Sequence, residues 1–200
     1  MKTIIITIAT ICSLVAGTVT TSKANGTDSN AATVLTGVSN ISKIEVRGNV
    51  ELFVSAGSAD QVKVYNSYYA DNALVQSQNG LLRITSYTDK KLVVWVTAAD
   101  LRSITVYDNA SVKSFGEFSA INLDVQLNNN ASAQLKLAAY SVNITVNDTA
   151  KADLSGEVND YELTYGRSTS VNYTNLAAGY SRVVRNSGPA LNTGNDLAIL

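Results

Sequence analysis

The sequence predicts an all-β fold, specifically a single-stranded right-handed parallel β-helix, and three observations predict it. A short polar phrase recurs along the second half of the chain. Apolar residues alternate with polar ones between the copies. No window of helical length carries a convincing helical period. A fixed period built from strands and polar turns is the mark of a solenoid, in which each unit buries its apolar face only against its neighbours.

The phrase first reads Val106-Tyr107-Asp108-Asn109-Ala110-Ser111 and then Leu127-Asn128-Asn129-Asn130-Ala131-Ser132. Val146-Asn147-Asp148-Thr149-Ala150-Lys151 and Tyr165-Gly166-Arg167-Ser168-Thr169-Ser170 follow, with a fainter copy at Val184-Arg185-Asn186-Ser187-Gly188. The centres at 110, 131, 150, 169 and 188 lie about 20 residues apart. Asn and Asp tolerate left-handed backbone and bond to their own main chain, so they can turn a corner at one phase of every unit. Ala110, Ala131 and Ala150 suit a tight, partly buried bend there, and Gly116 and Gly156 are read as a second corner. In a β-helix the like residues stack at ~4.8 Å, so residues 41–190 would make about seven coils. The alternative is an antiparallel β-sandwich or barrel, in which each unit is a hairpin.

The strands themselves are read from period two. Ile44 and Val46 alternate with charged neighbours, as do Val50, Leu52 and Val54. Val62 with Val64, Leu82 with Ile84, and the more continuous Leu92 to Val96 follow. Ile104 and Val106, then Leu123, Val125 and Leu127, lead to Leu135 and Leu137, and to Val142, Ile144 and Val146. Leu163 with Tyr165 and Val171 with Tyr173 close the series. β-Branched residues in strict alternation give strands with one buried face. Ser67 to Gln78 is the one candidate for a short helix.

Lys2, the apolar run Ile4 to Gly17 and the small-x-small Ser22-Lys23-Ala24 read as a secretory signal over 1–24. The run is too short for a spanning helix, so no membrane span is expected after cleavage. Residues 25–40 read as a flexible leader, 41–190 as the β-helix domain, and 191–200 as a C-terminal tail or cap. The expected location is therefore the periplasm, the cell surface or the medium. Cys12, the single cysteine, lies inside the signal, so the mature chain has no disulfide or thiol chemistry. Net charge is −1 with only 16% charged residues, which gives no footprint for nucleic acid.

The order of short motifs carries a family resemblance. Ile44-Glu45-Val46-Arg47-Gly48-Asn49-Val50-Glu51-Leu52 leads to Ser55-Ala56-Gly57 and Val62-Lys63-Val64. Asn79-Gly80-Leu81-Leu82-Arg83-Ile84 precedes Leu92-Val93-Val94-Trp95-Val96 and Leu101-Arg102-Ser103-Ile104. Over about residues 40–188 this resembles the head GIN domain family of bacterial secreted auto-transporter adhesins. The resemblance implies a right-handed β-helix and an adhesin-like role. The corners depart from the family pattern: Ser-Gly-Ser or Ser-Gly-Ala is replaced by Asn-Ala-Ser, Thr-Ala-Lys and Ser-Thr-Ser, and the usual Tyr-x-Gly-x-Pro ending is reduced to Asn186-Ser187-Gly188-Pro189.

The chain has no histidine and the mature part no cysteine, so Ser-His-Asp and Cys-His catalysis are excluded. Carboxylate pairs remain, Asp108 with Asp148 and Glu117 with Glu157, each two units apart, but solvated turn residues explain them better. The reading is a non-enzyme with no metal and no cofactor. Its partners would be a glycan or a surface protein, met in adhesin-like binding or scaffolding. A carbohydrate-binding or polysaccharide-active wall, and a periplasmic structural or sensing role, are the alternatives. Tyr65, Tyr68, Tyr69 and Tyr87 are the candidate binding residues, with Trp95, Tyr107, Tyr140 and Tyr161 as further aromatics. Tyr68 and Tyr69 stand out because adjacent strand residues cannot both face a core.

Overall fold

Alternation of apolar and polar residues becomes strand wherever it occurs. The computed structural model describes residues 32–65 and 73–186. They form β1 (Ala32–Leu35), β2 (Lys43–Gly48), β3 (Val50–Ala56), β4 (Gln61–Tyr65), β5 (Ala73–Gln78), β6 (Leu81–Ser86) and β7 (Leu92–Ala98). Then come β8 (Ser103–Val106), β9 (Ser111–Ser114), β10 (Phe118–Leu127), β11 (Ser132–Val146), β12 (Lys151–Tyr165) and β13 (Ser170–Arg185). No helix occurs among the described residues. The thirteen strands share one mixed sheet that curls so that one face encloses the core. Val46, Leu52, Val94, Ile104, Val125, Ile144 and Leu163 are all within 1% of complete burial. The enclosed space is filled by aliphatic side chains, the source of most of the stability.

From β8 onward the ladder is parallel and steps regularly. Ser103 pairs with Asp124, Asp124 with Asn143, Asn143 with Glu162 and Glu162 with Arg182, steps of 21, 19, 19 and 20 residues. Each unit runs along one half of the curl, turns, and runs back along the other. The turn is the Asn/Asp corner. Asp108, Asn129 and Asp148 have φ of 61°, 60° and 56°, in the left-handed region. Ala110, Ala131 and Ala150 are completely buried beside them. Each alanine N–H closes its own turn, onto Tyr107, Asn128 and Asn147 carbonyls respectively at 3.1–3.2 Å.

The ladder does not stop at the corner. Asn130 N–H donates to the Asp108 carbonyl, Ser132 to Ala110, Thr149 to Asn129 and Lys151 to Ala131, all at 2.9–3.0 Å. Side chains add a parallel series. The Asp108 N–H donates to Asn129 Oδ1 at 3.2 Å, and the Asn129 N–H donates to Asp148 Oδ2 at 2.8 Å. Asn147 Nδ2 donates to Asn128 Oδ1 at 3.0 Å. The corner residues are thus chosen twice, for left-handed φ and for an oxygen that reaches the next unit.

The other bend differs from the expectation. Buried positions on β11 run Ala133, Leu135, Leu137, Ala139 and then Val142, Ile144, Val146. The phase slips at Tyr140-Ser141, so the strand bends without ending. In neighbouring strands Ile121, Asn159 and Gly179 occupy the same unpaired column. Gly116 does sit in a turn, with φ 74°, but Gly156 lies inside β12. There φ is 107°, and a Cβ would come within 2.0 Å of the Leu137 carbonyl oxygen. Glycine is required at 156 by close backbone approach, not by a corner.

The seven sequential coils are not what forms. The β2–β3 unit lies between β6–β7 and β8–β9, out of chain order. β4 returns antiparallel against β7, β1 antiparallel against β4, and β5 antiparallel against β6. The all-β class is right, and the barrel-like curl of the alternative fits, though much of the sheet is parallel. The physical reason for the departure is local. Asn79 and Gly80 have φ of 51° and 78°, the pair that a tight hairpin turn needs, so β5 and β6 fold back on each other. The segment read as a short helix ends in strand β5, and β1 lies within the segment read as a flexible leader. The signal segment and residues 191–200 lie outside the described residues.

Asn129 gives the first test. Asn129→Ala keeps the strand but loses both the tolerance for left-handed φ and the side-chain acceptor. It should lower the unfolding free energy by about 1–3 kcal/mol in urea titration. Asn129→Gly, which restores the backbone freedom, should cost clearly less. Equal stability of both variants with wild type would show that the corner does not carry this load.

Candidate functional site

Outward-facing positions on β3, β4 and β7, together with the residue just past β9, carry an aromatic patch. The inward set Val50, Leu52 and Val54 leaves Phe53 on the outer face of β3, and Val94 with Val96 leaves Trp95 outside on β7. Register then puts Phe53 directly beside Trp95. Their rings stack with centroids 4.8 Å apart and planes 25° from parallel. Phe115, just past β9, meets Trp95 at 4.8 Å and a 55° tilt. Tyr65 closes the other side at 6.2 Å. Phe115 is 61% exposed, an unusual state for phenylalanine, while Phe53, Trp95 and Tyr65 are half-buried.

Polar groups border the rings. Lys113 Nζ donates to Glu51 Oε1 at 2.7 Å and lies 5.8 Å from the centre of the Phe53 ring. Ser55 and Thr97 share a hydroxyl hydrogen bond of 3.0 Å on the neighbouring rung. Lys63, beside Trp95 on β4, adds a second cation. The result is a convex apolar strip with one ion pair, one extra ammonium and a pair of hydroxyls along it. Such a surface can stack against a flat apolar face and hydrogen-bond its rim.

The predicted residues scatter. Tyr65 joins the patch. Tyr87 is 73% exposed and lies beside the Gly48 backbone, with no ring contact to Tyr65. Tyr68 and Tyr69 lie outside the described residues. Trp95 is the centre of the patch, while Tyr107 lies under the Arg47 guanidinium at 3.8 Å. That guanidinium is held charged first by its bond to Glu45, an effect opposed by desolvation. Tyr140 flanks a shallow depression of about 460 Å³ at the second bend, with Tyr180 opposite. A wider depression of about 780 Å³ is lined by Lys43, Gln76, Gln78, Leu81 and Arg83 around the Asn79 hairpin.

Phe53 and Phe115 were missed by sequence reasoning. The signal was present for Phe53, because an aromatic sits on the outward phase of an otherwise inward-apolar strand. Phe115 lies in a bend, where no phase predicts direction. One carboxylate pair, Asp108 with Asp148, also resolves. Asp108 accepts the Gly48 N–H at 3.1 Å and Asp148 the Asn129 N–H at 2.8 Å, so both serve the corner.

Tyr161 is the one strongly perturbed group among the described residues. Its ring is inside the curl, 6.3 Å from Tyr173, and its hydroxyl is buried without a hydrogen-bond partner among the described residues. Desolvation, then the neighbouring Tyr173 and Tyr165, push its ionisation upward, so it stays neutral. A buried unpaired hydroxyl costs free energy, and removing it relieves that cost. Tyr161→Phe should therefore be at least as stable as wild type by thermal unfolding, with a gain of up to about 1 kcal/mol. A loss of that size would show that the phenol has a partner.

A family model described as "Putative auto-transporter adhesin, head GIN domain" matches residues 40–191. No curated protein matches the chain. Among solved structures, the fold is similar to a "putative adhesin" from Parabacteroides merdae at TM-score 0.58 and 14% identity, covering 80% of this chain and 79% of that one. It is also similar to a "putative lipid binding protein" from Parabacteroides distasonis at TM-score 0.60 and 9% identity, covering 80% of each. Identities this low speak for the fold alone.

Proposed function

The chain belongs to the head GIN domain family of auto-transporter adhesins, and on that premise we propose that it is an exported, non-catalytic binding protein that works as an adhesin. Its contact surface is the patch of Phe53, Trp95, Phe115 and Tyr65. The observation that carries this reading is the 61% exposure of Phe115 at the edge of three other clustered aromatics. A scattered apolar surface residue needs no explanation, but a contiguous aromatic cluster on the rigid wall of a secreted protein does. The parallel part of the sheet acts as a stiff wall, read here as right-handed because parallel crossovers take that hand almost without exception.

A glycan is the ligand class that the rim favours. Sugar rings present apolar C–H faces to aromatics and hydroxyls to their borders. The Ser55–Thr97 hydroxyl pair and the Glu51–Lys113 pair lie where those hydroxyls would fall. An enclosed lipid site fits less well, because the interior of the curl is packed with aliphatic side chains. Among the described residues no helix is long and apolar enough to cross a membrane.

Trp95 is the only tryptophan, so its emission reports on the patch directly. A glycan array followed by fluorescence titration of the hits should show a change in Trp95 emission on binding. Phe115→Ala and Phe53→Ala should each weaken binding about tenfold or more while leaving the melting temperature within a few degrees of wild type. Binding to an immobilised protein with no glycan hit would move the ligand class to protein. Full binding by the Phe53→Ala/Phe115→Ala double variant would overturn the patch as the contact surface.

A further inference from the structure

Among the described residues, no strand lies beyond β13 at the opposite end of the sheet. β13 is 16 residues long and is hydrogen-bonded only to β12 among the described residues. A free edge of this length is a template for another strand, and proteins usually blunt it with lysine, proline or inward charge. β13 has no proline, no lysine and no acid, and its only charges are Arg182 and Arg185. Its irregularities are one bulge, where the register with β12 slips beyond Asp153, and the unpaired column of the bend at Gly179. The core is also thinly covered here. Val171 and Leu176 pack against it only in part, and Val183, placed on the inner side by register, and Tyr173, placed there by its ring contact with Tyr161, remain 41% and 38% exposed.

We propose that two copies of the chain pair antiparallel along β13, related by a two-fold axis through Ala177. The register follows from the strand itself. With Ala177 opposite Ala177, Val183 of one copy faces Val171 of the second, Ser181 faces Tyr173, and Ala178 faces Leu176. Val171, Leu176, Ala178, Ser181 and Val183 are inward positions, as their partners on β12 show, and Tyr173, unpaired in the bulge, turns its ring toward Tyr161 inside the curl at 6.3 Å. Arg182 then falls on the outer side, opposite Asn172 of the second copy. There Asn172 Nδ2 already donates to Asp153 Oδ1 at 3.0 Å. The Arg182 guanidinium, already paired with Glu162 Oε1 of its own chain at 3.4 Å, then lies on the same outer side as Asp153 of the second copy, while the two Arg182 side chains sit at opposite ends. An axis through Ala177, which lies between the bulge at Tyr173-Thr174 and the phase slip at Gly179-Tyr180, exchanges the two halves of the curl and keeps inner faces inside. Such an interface is isologous and closes at two, unlike a contact between β13 and a different edge, which would grow into a filament. The pairing covers Val171, Tyr173 and Val183 and extends one ladder through both molecules.

The aromatic patch is untouched by this contact. From β3 the strand order runs through β9, β11 and β12 before β13, four steps of ~4.8 Å, or about 19 Å. The dimer presents one patch near each far end, an arrangement suited to bivalent attachment.

Sedimentation equilibrium of the purified chain tests the proposal. At micromolar concentration the molar mass should be twice that of one chain. Val183→Lys, which places a charge on the paired inner side, should give a monomer. Arg182→Glu should weaken the dimer about tenfold, and Asp153→Arg in the same chain should restore it, since the charges are then exchanged across the interface. Unfolding scans confirm that each variant is folded, and Trp95→Ala should leave the mass unchanged, separating this result from the ligand assay. A monomeric wild type overturns the proposal, including the case where deleting residues 187–200 releases a dimer, because the chain's own tail then occupies the edge. A wild-type dimer indifferent to both Val183→Lys and Arg182→Glu overturns it as well, by placing the contact elsewhere.

Discussion

The structure depends on carrying backbone hydrogen bonds around a corner without losing register. A parallel ladder is easy to maintain along straight strands and hard to maintain where the chain reverses direction. Here the reversal is made by one residue in the left-handed region, Asp108, Asn129 or Asp148, in each of three consecutive units. A fully buried alanine follows at two residues' distance in each. Because the corners are alike, amides before and after them meet the neighbouring unit at 2.9–3.0 Å. A larger residue than alanine would push the corner outward, and a residue unable to hold left-handed φ would open it. Either change would shift the strands on both sides, since a register slip of one residue exchanges inner and outer faces.

That constraint divides the molecule. In the regular part nearly every position has a structural duty: aliphatic inside, Asn or Asp at the corner, short polar side chains outside. Two of the carboxylates that looked available for chemistry, Asp108 and Asp148, hold backbone amides instead. In the irregular part, β2 to β7, the chain order is broken and antiparallel strands enter. Outward positions there carry Phe53, Trp95 and Tyr65, and the ladder does not need them. A binding surface can change on such a wall without disturbing the core beneath it, which is how a rigid scaffold supports variable recognition.

Much of the second half was legible in the sequence, because the corner residues announce themselves chemically. The phrase centred on Ala110, Ala131 and Ala150 stacks as its spacing suggested. The first half was less legible for a physical reason. Period two tells which face of a strand is buried, but not which strand lies beside it. β2 and β3 have the same pattern whether they neighbour β6 and β7 alone or lie between these and β8 and β9. The Asn79-Gly80 hairpin was a readable signal of antiparallel pairing, and it stood outside the repeat that dominated the reading. Direction was harder still in bends: Phe115 sits after β9, where alternation has ended, and only the folded chain brings it onto Trp95. The second bend was misplaced because a phase slip at Tyr140-Ser141 leaves no glycine or proline to mark it.

Amide hydrogen exchange resolved by residue tests the corner ladder most directly. If the corners continue the sheet, the amides of Asn130, Ser132, Thr149 and Lys151 exchange as slowly as those of the straight β11 and β12 segments, at or near the free energy of global unfolding. If they exchange at the rates of ordinary exposed turns while the strands stay protected, the corners are passive connections and the account of how this chain holds its register is wrong.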